Sequence, residues 1–157
     1  MKLSREEKYM REALKEAKKA WEKNEVPIGA VVVMDDKIVG RGHNLRISSK
    51  SALGHAELMA IQKANRKTGD WRLDNAEIYV TLEPCPMCAG AILQSRIKKV
   101  YYGAKDPKAG SVDSLISLYE VKGYNHHPEV VSGVLEEECS AVLKEFFKQL
   151  RNQTKKE

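Results

Sequence analysis

The strongest constraint on this chain is a set of short apolar, β-branched runs that alternate with segments of helical period. Pro27-Ile28-Gly29-Ala30-Val31-Val32-Val33 is the first run, Glu77-Ile78-Tyr79-Val80-Thr81 the second and Val100-Tyr101-Tyr102-Gly103 the third. Each has the length and residue types of a buried strand. Between and around them, apolar residues recur every three or four positions. Such alternation predicts an α/β domain whose central sheet carries helices on both faces.

The elements follow in order. Ser4 and Glu7 form a capping-box signature ahead of Met10, Ala13, Leu14, Ala17 and Trp21, which predicts an amphipathic helix over residues 5–23. Asp35-Asp36 make a turn between the first strand and an antiparallel partner, Ile38 to Gly42. Residues 44–54 are polar and read as a loop. A second helix opens at His55, with Leu58, Met59, Ile61 and Ala64 on its apolar side. Pro84 and Pro86 suit a helix start, where amide donors have no intrahelical partner, and Cys88 to Gln94 continue that helix. Residues 104–128 show no clear period apart from a short helix at Leu115–Tyr119. Glu129 to Val134 read as a last strand. Glu136 to Arg151 read as a final helix with Val142, Leu143, Phe146, Phe147 and Leu150 as its apolar set, leaving 152–157 as a frayed basic tail. The 157 residues make one domain, spanning 1–157, with a core that needs no disulfide.

Composition removes several classes. No apolar run approaches the ~18 residues of a membrane span, and the N-terminus has no apolar segment of the kind a secretory signal carries. With three cysteines, an odd number, these features lead us to expect a reducing, cytoplasmic setting. The net charge of +5 is gathered at the two ends. Residues 1–23 hold eight basic and five acidic side chains and residues 144–157 hold five and two, while the 120 residues between hold 14 and 15. Two readings fit: solvated helix faces with a basic tail, or a surface for a polyanion held through phosphate contacts.

Cys85 and Cys88 lie in Pro84-Cys85-Pro86-Met87-Cys88, and C-x-x-C in an intracellular protein is a metal or redox motif. At i and i+3 of a helix start, the two thiols share a face, and the positive end of the helix favours the thiolate that binds zinc. If the helix starts at His55 and at Cys85 point the same way, one imidazole and two thiolates converge. Three protein ligands leave zinc a fourth position for water, the catalytic arrangement. His43, His126 and His127 have no motif-like spacing that would make one of them a fourth ligand. Cys139 lies among apolar positions and reads as core. Glu57 stands two residues after His55, about 200° around a helix, so both cannot hold one ion from mid-helix. In the first turn, Glu57 can instead line the pocket, where a carboxylate moves protons.

The pattern H-x-E … P-C-x-x-C is that of the zinc nucleobase deaminases, in which the Glu is an acid/base and not a ligand. The chain further resembles the bacterial tRNA-specific adenosine deaminase family. That likeness rests on Glu25-Val26-Pro27-Ile28-Gly29-Ala30, His43-Asn44-Leu45-Arg46, Gly54-His55-Ala56-Glu57, Trp71-Arg72-Leu73 and the run Tyr79 to Gly90. Asp106-Pro107-Lys108, Asn125-His126, Gly133-Val134-Leu135 and Phe146-Phe147 extend it over nearly the whole chain. The resemblance implies a cytidine-deaminase-like three-layer α/β/α sandwich with a mixed sheet, one zinc per subunit and a homodimer. It implies hydrolysis of adenosine to inosine at the wobble position of an arginine tRNA anticodon, and no membrane or other protein partner. Carried over by residue, His55, Cys85 and Cys88 bind zinc, and Glu57 shuttles protons. Asn44 and the backbone at Ala56 hold the base, while Asp106, Lys108, Phe147 and Arg151 face RNA.

One segment departs from the family. Gly110-Ser111-Val112-Asp113-Ser114-Leu115 puts Asp113 where the family has a glycine, adding a negative charge beside a path for RNA. Other readings stay open on sequence: a free-base or nucleotide deaminase such as a guanine deaminase, a zinc-stabilised RNA-binding module, and a redox C-x-x-C protein.

Overall fold

In the computed structural model, which describes residues 2–156, the chain folds as α1 (Arg5–Glu22), β1 (Gly29–Met34), β2 (Lys37–His43), α2 (Ala56–Thr68), β3 (Glu77–Leu82), α3 (Pro86–Gln94), β4 (Lys99–Ala104), a single 3-10 turn (Leu118–Glu120), β5 (Glu129–Val131) and α4 (Glu136–Lys156). The strands form one sheet in the order β2-β1-β3-β4-β5. β1 pairs antiparallel with both β2 and β3, whereas β3–β4 and β4–β5 are parallel. The sheet is therefore mixed. Parallel neighbours require crossovers, supplied by α3 between β3 and β4 and by the long segment 105–128 between β4 and β5.

Alternation along the strands divides the core between two layers. Ala30, Val32, Ile78, Val80, Val100 and Tyr102 face α2 and α3, meeting Ala60, Ala64, Ala89 and Ile92. Val31, Val33, Tyr79 and Tyr101 face the other way, toward Met10 and Ala13 of α1 and Cys139 of α4. Strands buried on both sides explain why these runs read as continuously apolar. The α/β/α sandwich is as expected. Both charge-rich ends lie in one layer, where Trp21 of α1 meets Phe146 of α4 edge-on and Arg11 pairs with Glu138 at 2.8 Å.

α1 starts at the anticipated capping box, with the Glu7 N–H donating to Ser4 Oγ at 3.1 Å and the Ser4 N–H to Glu7 Oε1 at 3.0 Å. Three boundaries differ from the sequence reading by three residues or more. The helix expected at Leu115–Tyr119 is only the 3-10 turn Leu118–Glu120, because the preceding amides are engaged in the loop: Leu115 N–H donates to Gly110 O and Leu118 N–H to Ser111 O. The last strand stops at Val131 and not at Val134, since Gly133 and Leu135 both turn the chain with positive φ. α4 runs on through residues 152–156, because no glycine or proline follows Gly133; residue 157 of the expected frayed tail lies outside the described residues.

Gly42 matters for the site. A Cβ there would land on the Ala56 carbonyl, so α2 lies directly against the backbone of β2. That contact brings the first turn of α2 to the strand that ends at His43.

Candidate active site

The C-terminal ends of β3 and β4 and the end of β2 open on the same side of the sheet. β3 runs through Glu83-Pro84 into Cys85, the extended N-cap residue of α3, with Pro86 at the first helical position. His55 is likewise the extended N-cap residue of α2. Neither side chain is used as a helix cap, so both can point into the site. They converge. His55 Nδ1 lies 3.6 Å from Cys85 Sγ and 3.4 Å from Cys88 Sγ, and all three donor atoms fall within 4.8 Å of one another.

Zinc held by thiolate at ~2.3 Å and imidazole at ~2.0 Å in a tetrahedron has an N···S edge of about 3.5 Å. The observed separations match that edge, so the donor set fits a zinc ion in both chemistry and size. The thiols are unequal. Cys85 is pulled down to about 4 by the Cys88 thiol donating to it, against its burial, and by His55. The Cys88 thiol moves up, because it is that donor and is buried. His55 moves up through its contact with Cys85, against burial. The surroundings thus favour the thiolate at Cys85, and a cation would draw off the proton of Cys88.

Glu57, in the first turn of α2, is only 4% exposed and lines the same pocket as His55 and Cys85. Burial pushes its carboxyl up from 4.5 to about 7; its own backbone N–H opposes that, and the charge on Cys85 adds to it. A carboxyl near pH 7 can both take and return a proton. Ala56 lines the pocket too, and as the first helical residue it has an N–H without an intrahelical acceptor. Asn44 is buried at the rim. Its Oδ1 accepts from the Arg46 N–H at 3.2 Å and its Nδ2 donates to Val26 O at 3.3 Å, which leaves the second amide proton for a ligand. Asn44 thus sits at the start of the loop after β2, with its side-chain amide at the pocket wall.

Among the residues expected to face RNA, Asp106 lines the main pocket. Lys108, Phe147 and Arg151 come together in a neighbouring groove with Lys105 and Lys144. Phe147 is 40% exposed while Phe146 is core, so the two adjacent phenylalanines divide between surface and interior. Asp113 accepts a hydrogen bond from the Tyr102 hydroxyl at 2.6 Å, which gives its charge a partner within the fold. Cys139 is buried and belongs to the core. His43 is also committed elsewhere, between Glu16 Oε1 at 3.1 Å and Lys23 Nζ at 3.0 Å.

Sequence reasoning missed two pocket-related acids, Glu25 and Glu83, both essentially buried. Burial raises each carboxyl, but the hydrogen bonds from Ser48 and Ile47 to Glu25, and from Ser114, Asp106 and Asp113 to Glu83, outweigh it, so both lie below the ordinary 4.5. The available signal was position, since each acid follows the end of an element and stands one or two residues before a proline, Pro27 after Glu25 and Pro84 after Glu83.

A mixed sheet carrying a His/Cys/Cys donor set and a buried glutamate at two helix starts defines a nucleobase-deaminase type of protein. The family described as MafB19-like deaminase matches residues 4–151. A tRNA-specific adenosine deaminase of Bacillus subtilis (strain 168) is 53% identical over 153 residues, 98% of this chain and 95% of that one. A solved structure of a tRNA:A34 deaminase superimposes with a TM-score of 0.83 at 43% identity, covering 87% of this chain and 99% of that chain. A guanine deaminase from Nitrosomonas europaea shares the fold with a TM-score of 0.75 at 20% identity, over 89% of this chain and 83% of its own. The chain belongs to the MafB19-like deaminases and, among them, to the tRNA-specific adenosine deaminase family.

Proposed function

We propose that this chain hydrolyses adenosine to inosine at the wobble position of a tRNA anticodon, that of an arginine tRNA, with one zinc per subunit. The observation that carries the reading is the triangle of His55, Cys85 and Cys88 at zinc-edge distances, with the buried carboxyl of Glu57 in the same pocket. The sequence identity to a tRNA-specific adenosine deaminase supports the choice of substrate. His55 Nδ1, Cys85 Sγ and Cys88 Sγ are the ligands. Bound there, zinc supplies the Lewis acidity that makes water a nucleophile near neutral pH.

Glu57 does the proton work. It takes the proton that water gives up and delivers it to N1 of the purine as oxygen adds at C6. It then carries the proton of the new hydroxyl to the leaving amine, so adenosine and water give inosine and ammonia. Asn44 offers its spare amide proton to the purine, and the free N–H of Ala56 offers a second donor. Lys105, Lys108, Lys144 and Arg151 line a groove next to the pocket with the charge to hold phosphates, and Phe147 offers a stacking face. The base must leave its stack, which a flexible anticodon loop allows at low cost. A tRNA substrate implies the cytoplasm. We read the homodimer as consistent with apolar side chains such as Ile47, Leu53, Leu115 and Ile116, all at least half exposed.

The test is to incubate the zinc-loaded protein with an adenosine-containing anticodon stem-loop and sequence the product for inosine. Glu57→Ala is the control and guanine is the parallel substrate. Inosine from wild type alone supports the reading. Ammonia from guanine with no change in the stem-loop overturns it.

A further inference from the structure

We propose that Glu25 and Glu83 are positioning residues, each holding one of the two loops that wall the substrate pocket. The pocket is bounded on one side by Asn44 and Arg46, from the loop after β2, and on the other by Asp106 and Ala109, from the loop after β4. Each loop is tied to one buried carboxylate. Glu25, 0% exposed, accepts from Ile47 N–H at 3.1 Å and from Ser48 N–H and Oγ–H at 2.6 Å each. Glu83, 2% exposed, accepts from Asp106 N–H at 3.1 Å, Asp113 N–H at 2.9 Å and Ser114 N–H at 2.8 Å, with further bonds from Val112 N–H and the Ser114 hydroxyl.

Every one of these donors is a backbone amide or a serine hydroxyl. A buried carboxylate is costly unless its lone pairs are engaged, and here the loops engage them. The relation also runs in reverse: the loop amides have their partner only while the loop keeps this shape. Gly110 adds a second observation, since a Cβ at that position would land on the Glu83 carboxylate. The chain thus passes directly over the acid, with no space for a side chain between them. Neither acid touches the donor atoms of His55, Cys85 or Cys88 in the hydrogen bonds of the site. Glu83 also lines the pocket, but its carboxylate oxygens are engaged by the loop donors, so the effect of both acids falls on the shape of the entrance and on the groups it presents, Arg46 and Asp106.

Glutamine at either position keeps the volume and takes away acceptors, turning an amide N–H₂ toward loop N–H groups. The kinetic arm rests on the adenosine deaminase reading and uses zinc-loaded protein with the anticodon stem-loop. Glu25→Gln and Glu83→Gln each raise KM about tenfold or more, while kcat stays within about threefold and zinc remains at one per chain. Ser48→Ala and Ser114→Ala remove one donor each with little risk to folding, and each raises KM in the same direction by about threefold. Amide hydrogen exchange gives a readout independent of substrate: residues 45–49 exchange faster in Glu25→Gln and residues 105–115 in Glu83→Gln. A lower Tm with unchanged KM, a kcat loss at constant KM, or unchanged loop exchange each overturns the inference. Failure of the wild type to act on the stem-loop overturns the substrate reading instead, and the exchange result then decides the positioning role by itself.

Discussion

Glu57→Gln separates what this carboxyl does for the reaction from what it costs the fold. The wild-type carboxyl is buried, and that burial, with the charge of Cys85 beside it, lifts it from 4.5 to about 7. Between these two pH values the folded chain keeps a proton that the unfolded chain releases. The unfolded state then binds fewer protons, so stability falls as pH rises through the window. At about 1.4 kcal/mol per pH unit, the loss is about 3 kcal/mol, complete above about pH 7 and absent below about pH 4. Glutamine fills the same space and does not titrate. In chelator-treated protein at about pH 8, Glu57→Gln is expected to melt roughly 6–12 °C above wild type, and at about pH 4 the two should coincide. Zinc loading narrows the gap, because a cation favours the carboxylate. The same variant, loaded with zinc, loses about 10²–10⁴-fold in kcat on the stem-loop. Calorimetry across the pH range and a single-turnover assay measure the two sides. Equal stability at pH 8 would refute the burial argument, and turnover within tenfold of wild type would refute the proton-carrying role.

Four further outcomes follow from the same structure. Cys88→Ser removes the more buried of the two sulfurs and should take zinc from about one per chain to near zero by metal analysis of the folded protein. Gly42→Ala forces α2 away from β2, and should cost about 1–3 kcal/mol in denaturant unfolding. Lys108→Ala and Arg151→Ala should each lower the steepness of the salt dependence of stem-loop binding by about one charge, with kcat unchanged. Glu25 lies below 4.5 in the fold, so its contribution is full above about pH 4.5 and is lost as pH falls through its folded value. Wild type should therefore lose stability more steeply than Glu25→Gln on acidification, as followed by circular dichroism.

How much of this was legible depended on where the information lay. The first helix was readable because its cap, its apolar stripe and its end are all local, and the capping box formed as written. The strands were readable because both of their faces are buried, so apolar β-branched runs mark them without reference to partners. The metal-fitting triangle was readable for a different reason. Residues 55, 85 and 88 are distant in the chain, but two N-cap positions on one side of a sheet are sufficient to join them. Residues 104–128 resisted the same reasoning. Their backbone is held by Glu83, by Asp106 Oδ1 and by turn carbonyls, and such bonds impose no period on the side chains.

The same distinction explains why Glu25 and Glu83 escaped notice while Glu57 did not. Glu57 sits in a motif because its chemistry requires a histidine two residues away and a cysteine pair elsewhere. A carboxylate whose partners are backbone N–H groups makes no such demand, since any residue except proline supplies that donor. Its only sequence trace is indirect: a serine where a hydroxyl adds to the amides, as at Ser48 and Ser114, and a glycine where the chain must pass close, as at Gly110. Asp113 shows the converse. In sequence it is an added negative charge near the RNA path, yet its N–H donates to Glu83 at 2.9 Å and its carboxylate accepts from Tyr102. An aspartate at this position thus spares the loop's attachment, because that attachment runs through the backbone, and its side chain has a partner within the fold.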